Sequence, residues 1–196
     1  MTKYILVGGY IGKSFNSGEA FYKETLAGFK SPVKVLDCLF ARPKEVWEKT
    51  FAEDLGLFQR HVPDASVDFK LARVEAFPSQ VAWADVVYFR GGVSGQLKES
   101  LQKDLSWLKN LSGKTIAGSS AGADVLSRYF YNLDTLKAQD GLGLLPIKFI
   151  PHYRSDYNAP NIDWDKAEAE LKAYKEDLPF VPFVPLREGE FKVFER

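Results

Sequence analysis

Short apolar runs alternate with amphipathic stretches along the whole chain. Tyr4–Val7 is an uninterrupted apolar run that stops at Gly8-Gly9. From Asn16 the pattern turns helical, with Glu19 three residues on as in a capping box, and it continues to about Phe29. Val33–Leu36 reads as a second strand. Pro43 stands where a helix favours its first residue, and Val46, Trp47, Phe51 and Leu55 follow at helical spacing. Val67–Val74 and Asp85–Phe89 are two further strands. The second carries Val86-Val87-Tyr88-Phe89, the continuous apolar run of a strand covered on both faces. After Gly91-Gly92, Leu97, Leu101, Leu105, Leu108 and Leu111 mark one helix face. Lys114–Ala117 is the next strand; Gly118-Ser119-Ser120-Ala121-Gly122 and a short helix to about Tyr131 follow. Phe149-Ile150 predicts a brief strand before Pro151-His152. Trp164, Ala167, Leu171 and Tyr174 mark a last helix. Phe180–Leu186 and Phe191–Phe194, around Arg187-Glu188-Gly189-Glu190, predict a terminal hairpin.

Strands alternating with helices imply an α/β chain: three layers, a mostly parallel sheet with helices on both faces, flavodoxin-like in outline. A length of 196 residues fits a single domain over 1–196. Ligands in such sheets bind beyond the carboxyl ends of the strands. That selects Gly8–Ser14, Arg90–Gly95, Gly118–Gly122 and His152–Asp156 as the segments to inspect. Charge narrows the partners. Twenty-six basic residues balance twenty-six acidic ones, so a basic footprint for nucleic acid is not expected. Cys38 is the one cysteine, which allows no intrachain disulfide and fits a reducing compartment. No apolar stretch approaches the roughly 18 residues of a membrane span, and Tyr4–Val7 is too short for a signal-peptide core. A soluble cytoplasmic protein, with no membrane partner, is the expectation.

The chemistry concentrates after the fifth strand. Gly118-Ser119-Ser120-Ala121-Gly122 fits G-x-S-x-G, a nucleophile elbow, between an apolar strand and a helix start. A serine on so tight a turn is pushed out of the sheet edge, and the Ala121 N–H is placed to meet a developing oxyanion. Serine is a weak nucleophile at its own pKa and needs a base. The chain has two histidines. His61 sits in a polar helix end, Gln59-Arg60-His61-Val62-Pro63, and reads as a solvated or capping residue. His152 follows a strand and shares the sheet edge with Ser120. A carboxylate must then orient the imidazole. Asp134, between serine and histidine in Tyr131-Asn132-Leu133-Asp134, is favoured; Asp140 is second, and Asp124 points along the serine's own helix. Glycines of the Arg90-Gly91-Gly92-Val93-Ser94-Gly95 turn permit close backbone approach, so Gly91 or Gly92 would supply a second oxyanion N–H.

These residues together resemble the peptidase E family. The likeness rests on the apolar strand into Gly91-Gly92 with Gln96-Leu97, on Gly118-Ser119-Ser120-Ala121-Gly122-Ala123, and on Gly141-Leu142-Gly143-Leu144 before Pro151-His152-Tyr153, in that order and spacing. The family consists of aspartyl dipeptidase-like serine peptidases with a fold akin to class I glutamine amidotransferases. The resemblance implies Ser120 as nucleophile, His152 as base, Gly92 and Ala121 as oxyanion donors, Asp134 as the acid, and short peptides, notably dipeptides beginning with aspartate, as substrates. Family members often carry arginines after the histidine. Here Asp163–Glu170 holds only Lys166, which leaves Arg90 and Arg154 to bind a substrate carboxylate.

Rival readings fare less well. Gly8-Gly9-Tyr10-Ile11-Gly12-Lys13-Ser14 resembles a phosphate loop, yet Val7 occupies the position of the first Walker glycine. Two separated histidines and one cysteine make a poor metal set, so neither metal nor cofactor is expected. An α/β-hydrolase esterase or amidase shares the serine–acid–histidine order, but the 32 positions between Ser120 and His152 leave little room for its intervening elements. A non-catalytic binding module on the same fold is the alternative from another class.

Overall fold

The structure is a computed structural model that describes residues 1–156, 162–175 and 180–196. Its strands are β1 (Lys3–Val7), β2 (Val33–Cys38), β3 (Val67–Leu71), β4 (Val86–Phe89), β5 (Thr115–Ser119), β6 (Ser127–Asn132), β7 (Lys137–Asp140), β8 (Leu145–Ile150), β9 (Phe183–Pro185) and β10 (Phe191–Glu195). Six of them form one sheet in the order β10-β1-β5-β4-β2-β3. β1 to β5 run parallel, and β10 joins β1 antiparallel.

Alternation along these strands builds two cores. Tyr4 and Leu6 of β1, Leu36 and Cys38 of β2, and Val87 and Phe89 of β4 enter one layer. Ile5, Val7, Val33, Val35, Val86 and Tyr88 enter the other. Both faces are therefore apolar, and the strands read as unbroken runs. The second layer is closed by Phe21, Tyr22 and Leu26 of α1 (Glu19–Leu26) and Phe58 of α2 (Trp47–His61). On the other face lie Phe77 and Val81 of α3 (Phe77–Trp83), Leu97 and Leu101 of α4 (Ser94–Gln102), and Trp107. The expected three layers are present.

A second sheet, ordered β7-β6-β8-β9, departs from the sequence expectation. The helix after the elbow, α5 (Ala121–Leu126), stops well before Tyr131, and Ser127–Asn132 is strand. Aromatic alternation explains the switch. Tyr129 and Tyr131 pack toward α6 (Trp164–Ala173), while Phe130 enters the main core. The leucine face from Leu97 to Leu111 also divides, because Asp104 accepts from the Ser106 N–H (2.8 Å) and starts a separate 3₁₀ helix at Leu105.

The two terminal strands are not a hairpin. β9 pairs with β8 in the second sheet, and β10 pairs with β1 in the first. Residues 186–190 therefore cross between the sheets. Leu186 N–H donates to Ile150 O (3.1 Å) and Gly189 N–H to Gly9 O (2.8 Å). The crossing segment is thereby pinned over the carboxyl ends of β1 and β8. Among the described residues, no helix is long and apolar enough to cross a membrane.

Candidate active site

Ser120 stands at φ 50°, ψ −110°, between β5 and α5. A non-glycine residue is strained there, and the surroundings hold it. Its N–H donates to Val7 O (3.0 Å), and its carbonyl accepts from the Asp124 N–H (2.9 Å). Two glycines make the bend possible. A Cβ on Gly118 would lie 2.6 Å from the Gly122 carbonyl carbon, and one on Gly122 would lie 2.2 Å from Phe89 O. Only hydrogen fits at either position.

The structure brings His152 to Ser120, with Nε2 3.0 Å from Oγ. His152 follows β8, and its N–H donates to Gly8 O (2.7 Å), so the β1 loop fixes its backbone. Gly9 leaves the space the ring needs, since a Cβ there would sit 2.1 Å from Cε1. Tyr10 meets the imidazole edge-on at 5.7 Å.

Glu188, not Asp134, is the carboxylate on the imidazole. His152 Nδ1 lies 3.0 Å from Glu188 Oε1. The other carboxylate oxygen, Oε2, is ion-paired with Lys13. Asp134 lies in the turn joining β6 to β7, where its N–H donates to Asn132 Oδ1 (2.9 Å). Asp140 is paired with Lys175 (2.7 Å). Asp124 is buried and accepts from Ser94 Oγ (2.7 Å). The reason is topological. β6 and β8 are parallel neighbours in the second sheet, but past its strand His152 is held by the β1 loop through Gly8 O, and the 186–190 crossing is held by the same loop through Gly9 O, whereas Asp134 stays folded on Asn132 in the β6–β7 turn.

The electrostatics agree with this arrangement. Burial pushes the Glu188 carboxyl up, but Lys13 and His152 outweigh it and hold it below its usual range. Burial also pushes the His152 imidazole down, against the opposing pull of Glu188. An ionised Glu188 can only accept, so the imidazole proton sits on Nδ1 and Nε2 is left to accept from the serine hydroxyl.

The loop after β4 faces the same cleft, an open pocket of about 350 Å³ lined by Gly9, Tyr10, Arg42, Arg90, Gly92, Ser120 and His152 among others. The N–H groups of Gly92 and Ala121 form no hydrogen bond with the described residues. The two expected carboxylate binders part company. Arg90 lines the cleft, with Nε on the buried Asp54 (2.9 Å). Burial raises Asp37 well above the carboxylate range and Asp54 to about 6, against the opposing pull of Arg90 on both. Arg154 instead turns to α6, pairing with Asp165 and lying 3.8 Å from Glu168. Among the described residues, no three His, Cys, Asp or Glu side chains gather as a metal site. His61 stacks on Tyr22 at 4.9 Å, away from this cleft.

Sequence reasoning missed Glu188, Lys13 and Arg42. In the sequence the 186–190 segment reads as a hairpin turn. It comes to lie at a carboxyl sheet edge only once β10 has paired with β1.

Comparison with known proteins bears on this geometry. The family model described as Peptidase family S51 matches residues 47–190. The search of curated protein sequences gave no match. Among solved structures, a peptidase from an acI-B1 Actinobacterium superposes with a TM-score of 0.68 at 24% identity, covering 99% of this chain and 83% of that one. A Listeria monocytogenes protein described as peptidase E superposes with a TM-score of 0.66 at 17% identity, covering 99% and 97%. At these identities the two structures support the fold.

Proposed function

Because the chain belongs to peptidase family S51, a family of serine peptidases, we propose that it hydrolyses short peptides through a Ser120–His152–Glu188 triad. One observation carries the reading: a single imidazole lies 3.0 Å from the serine hydroxyl on one side and 3.0 Å from a carboxylate on the other. Ser120 Oγ attacks the scissile carbonyl while Nε2 takes its proton. Glu188 holds the imidazole in the tautomer this requires and stabilises the imidazolium that results. The Gly92 and Ala121 N–H groups receive the oxyanion, a contribution worth roughly 10²–10³-fold per donor in other serine hydrolases. Collapse expels the amine, which takes the proton from Nε2. Water then attacks the acyl-enzyme, with His152 again as base.

Arg90 brings a cationic side chain to the cleft, which favours a substrate bearing a carboxylate near the scissile bond. Dipeptides beginning with aspartate fit that description. A fluorophosphonate probe tests the chemistry, with labelling expected on wild type and absent from Ser120→Ala. Folded wild-type protein that stays unlabelled would defeat the reading. A dipeptide panel with Asp, Glu, Gly or Leu first tests the specificity; equal cleavage of all four rejects an aspartyl preference.

A further inference from the structure

The loop that presents Gly92 is held by a side chain from a different element. Arg42 follows β2, and its Nε–H donates to the Gly91 carbonyl at 2.9 Å. On the far side of Gly92, the Val93 N–H donates to Ala41 O at 2.8 Å. The same two-residue segment therefore grips the β4 loop on both sides of the Gly92 N–H. The grip is close: a Cβ on Gly92 would lie 2.1 Å from Ala41 O. Arg42 is itself anchored, its N–H donating to Leu39 O (2.9 Å) and its carbonyl accepting from Trp47 Nε1 (2.9 Å).

The Gly91–Gly92 peptide needs such a hold. Glycine on each side gives it the widest dihedral freedom a peptide plane can have. A trans peptide carries its C=O and N–H on opposite sides, so fixing one fixes the other. We infer that Arg42 is a positioning residue for oxyanion binding: by holding the Gly91 carbonyl, its Nε–H sets the direction of the Gly92 N–H. The inference rests on the hydrolase reading above. It assigns to Arg42 a role that depends on one hydrogen bond and not on the arginine's charge.

That distinction makes the test. In Arg42→Gln, the amide nitrogen lies as many bonds from Cα as the arginine Nε, so the donor survives and the charge is lost. In Arg42→Met, a methyl stands at that point. The readout is the second-order rate at which a small uncharged fluorophosphonate modifies Ser120. In that step the Oγ–P bond forms, fluoride leaves, and the hydroxyl proton passes to His152. The phosphoryl oxygen occupies the oxyanion position, and substrate charge plays no part. Arg42→Met is expected to react roughly 10–100-fold more slowly, less than the loss of a whole donor, and Arg42→Gln within a few-fold of wild type. Arg42→Met as fast as wild type or faster, or Arg42→Gln as slow as Arg42→Met, would overturn the inference. Thermal melting of each variant checks the fold. If Arg42→Met melts early, Arg42→Ala is assayed with added methylguanidinium: saturable recovery supports the role and no recovery rejects it. Wild type that fails to label defeats the hydrolase reading and this inference with it, before any variant is compared.

Discussion

Two carboxyl groups next to the nucleophile elbow behave in opposite ways. Asp124 lies one helical turn beyond Ser120, and Glu188 lies 68 positions along the chain from it. Both are nearly hidden from solvent, at 3% for Asp124 and 6% for the Glu188 side chain. Burial drives Asp124 well above the carboxylate range, because its partner is a neutral hydroxyl and Oδ1 finds none among the described residues. Burial acts on Glu188 in the same direction, yet Lys13 on one oxygen and His152 on the other reverse it. Asp124, the deeper of the two, is thus a neutral strut, and Glu188, less deeply buried and with a cation and an imidazole beside it, is an anion. The group that can stabilise an imidazolium is the one with a cation beside it, whatever its distance in sequence.

The largest expected effect breaks the comparison outright. Glu188→Gln keeps the shape and removes the charge, and kcat on a cleaved dipeptide should fall by roughly 10³–10⁴-fold, as carboxylate-to-amide changes do in such triads. Asp134→Asn and Asp140→Asn should leave kcat essentially unchanged. A collapse in either, with Glu188→Gln active, would return the acid to the β6–β7 region.

A smaller effect tests the cation. Lys13 lowers both Glu188 and His152. Lys13→Met should therefore move the acid limb of kcat/KM toward higher pH. In wild type that limb should lie below the ordinary imidazole value of 6.5, since the buried ring is held low. A limb that does not move would mean Lys13 is not coupled to the imidazole.

The smallest effect concerns Asp124. Its folded pKa lies above the unfolded one, so it binds more protons folded than unfolded. Its contribution to stability is complete at low pH and is lost as pH rises from the unfolded value toward the folded one. Asp124→Asn does not titrate. Its melting temperature relative to wild type should become more favourable from pH 4 to pH 8, with activity retained. A difference that is flat with pH, or grows the other way, would mean Asp124 is ionised in the native state.

Ser120 and His152 were legible in the sequence for different reasons. The elbow is a local device: Gly118 and Gly122 are demanded by contacts within one strand-turn-helix. His152 is one of two histidines, and it is the one that follows a strand. Glu188 was not legible, because its position depends on β10 pairing with β1 and β9 with β8. A hairpin is the simplest reading of two neighbouring apolar runs, and nothing in their composition says that they enter different sheets. The strand at Ser127–Asn132 was missed on similar grounds, since its aromatic alternation matters only against α6 and the main core.

Local features were therefore decided by the sequence alone: the parallel α/β layout, the bend that exposes a serine, and a histidine just beyond a strand's carboxyl end. Such features follow from periodicity and from steric demands within a few residues. The carboxylate on the imidazole, the cation beside it and the arginine gripping the Gly91–Gly92 loop were decided by tertiary structure. Each joins segments that meet only after distant strands have paired, and the free energy that brings them together lies in core burial rather than in the residues that meet.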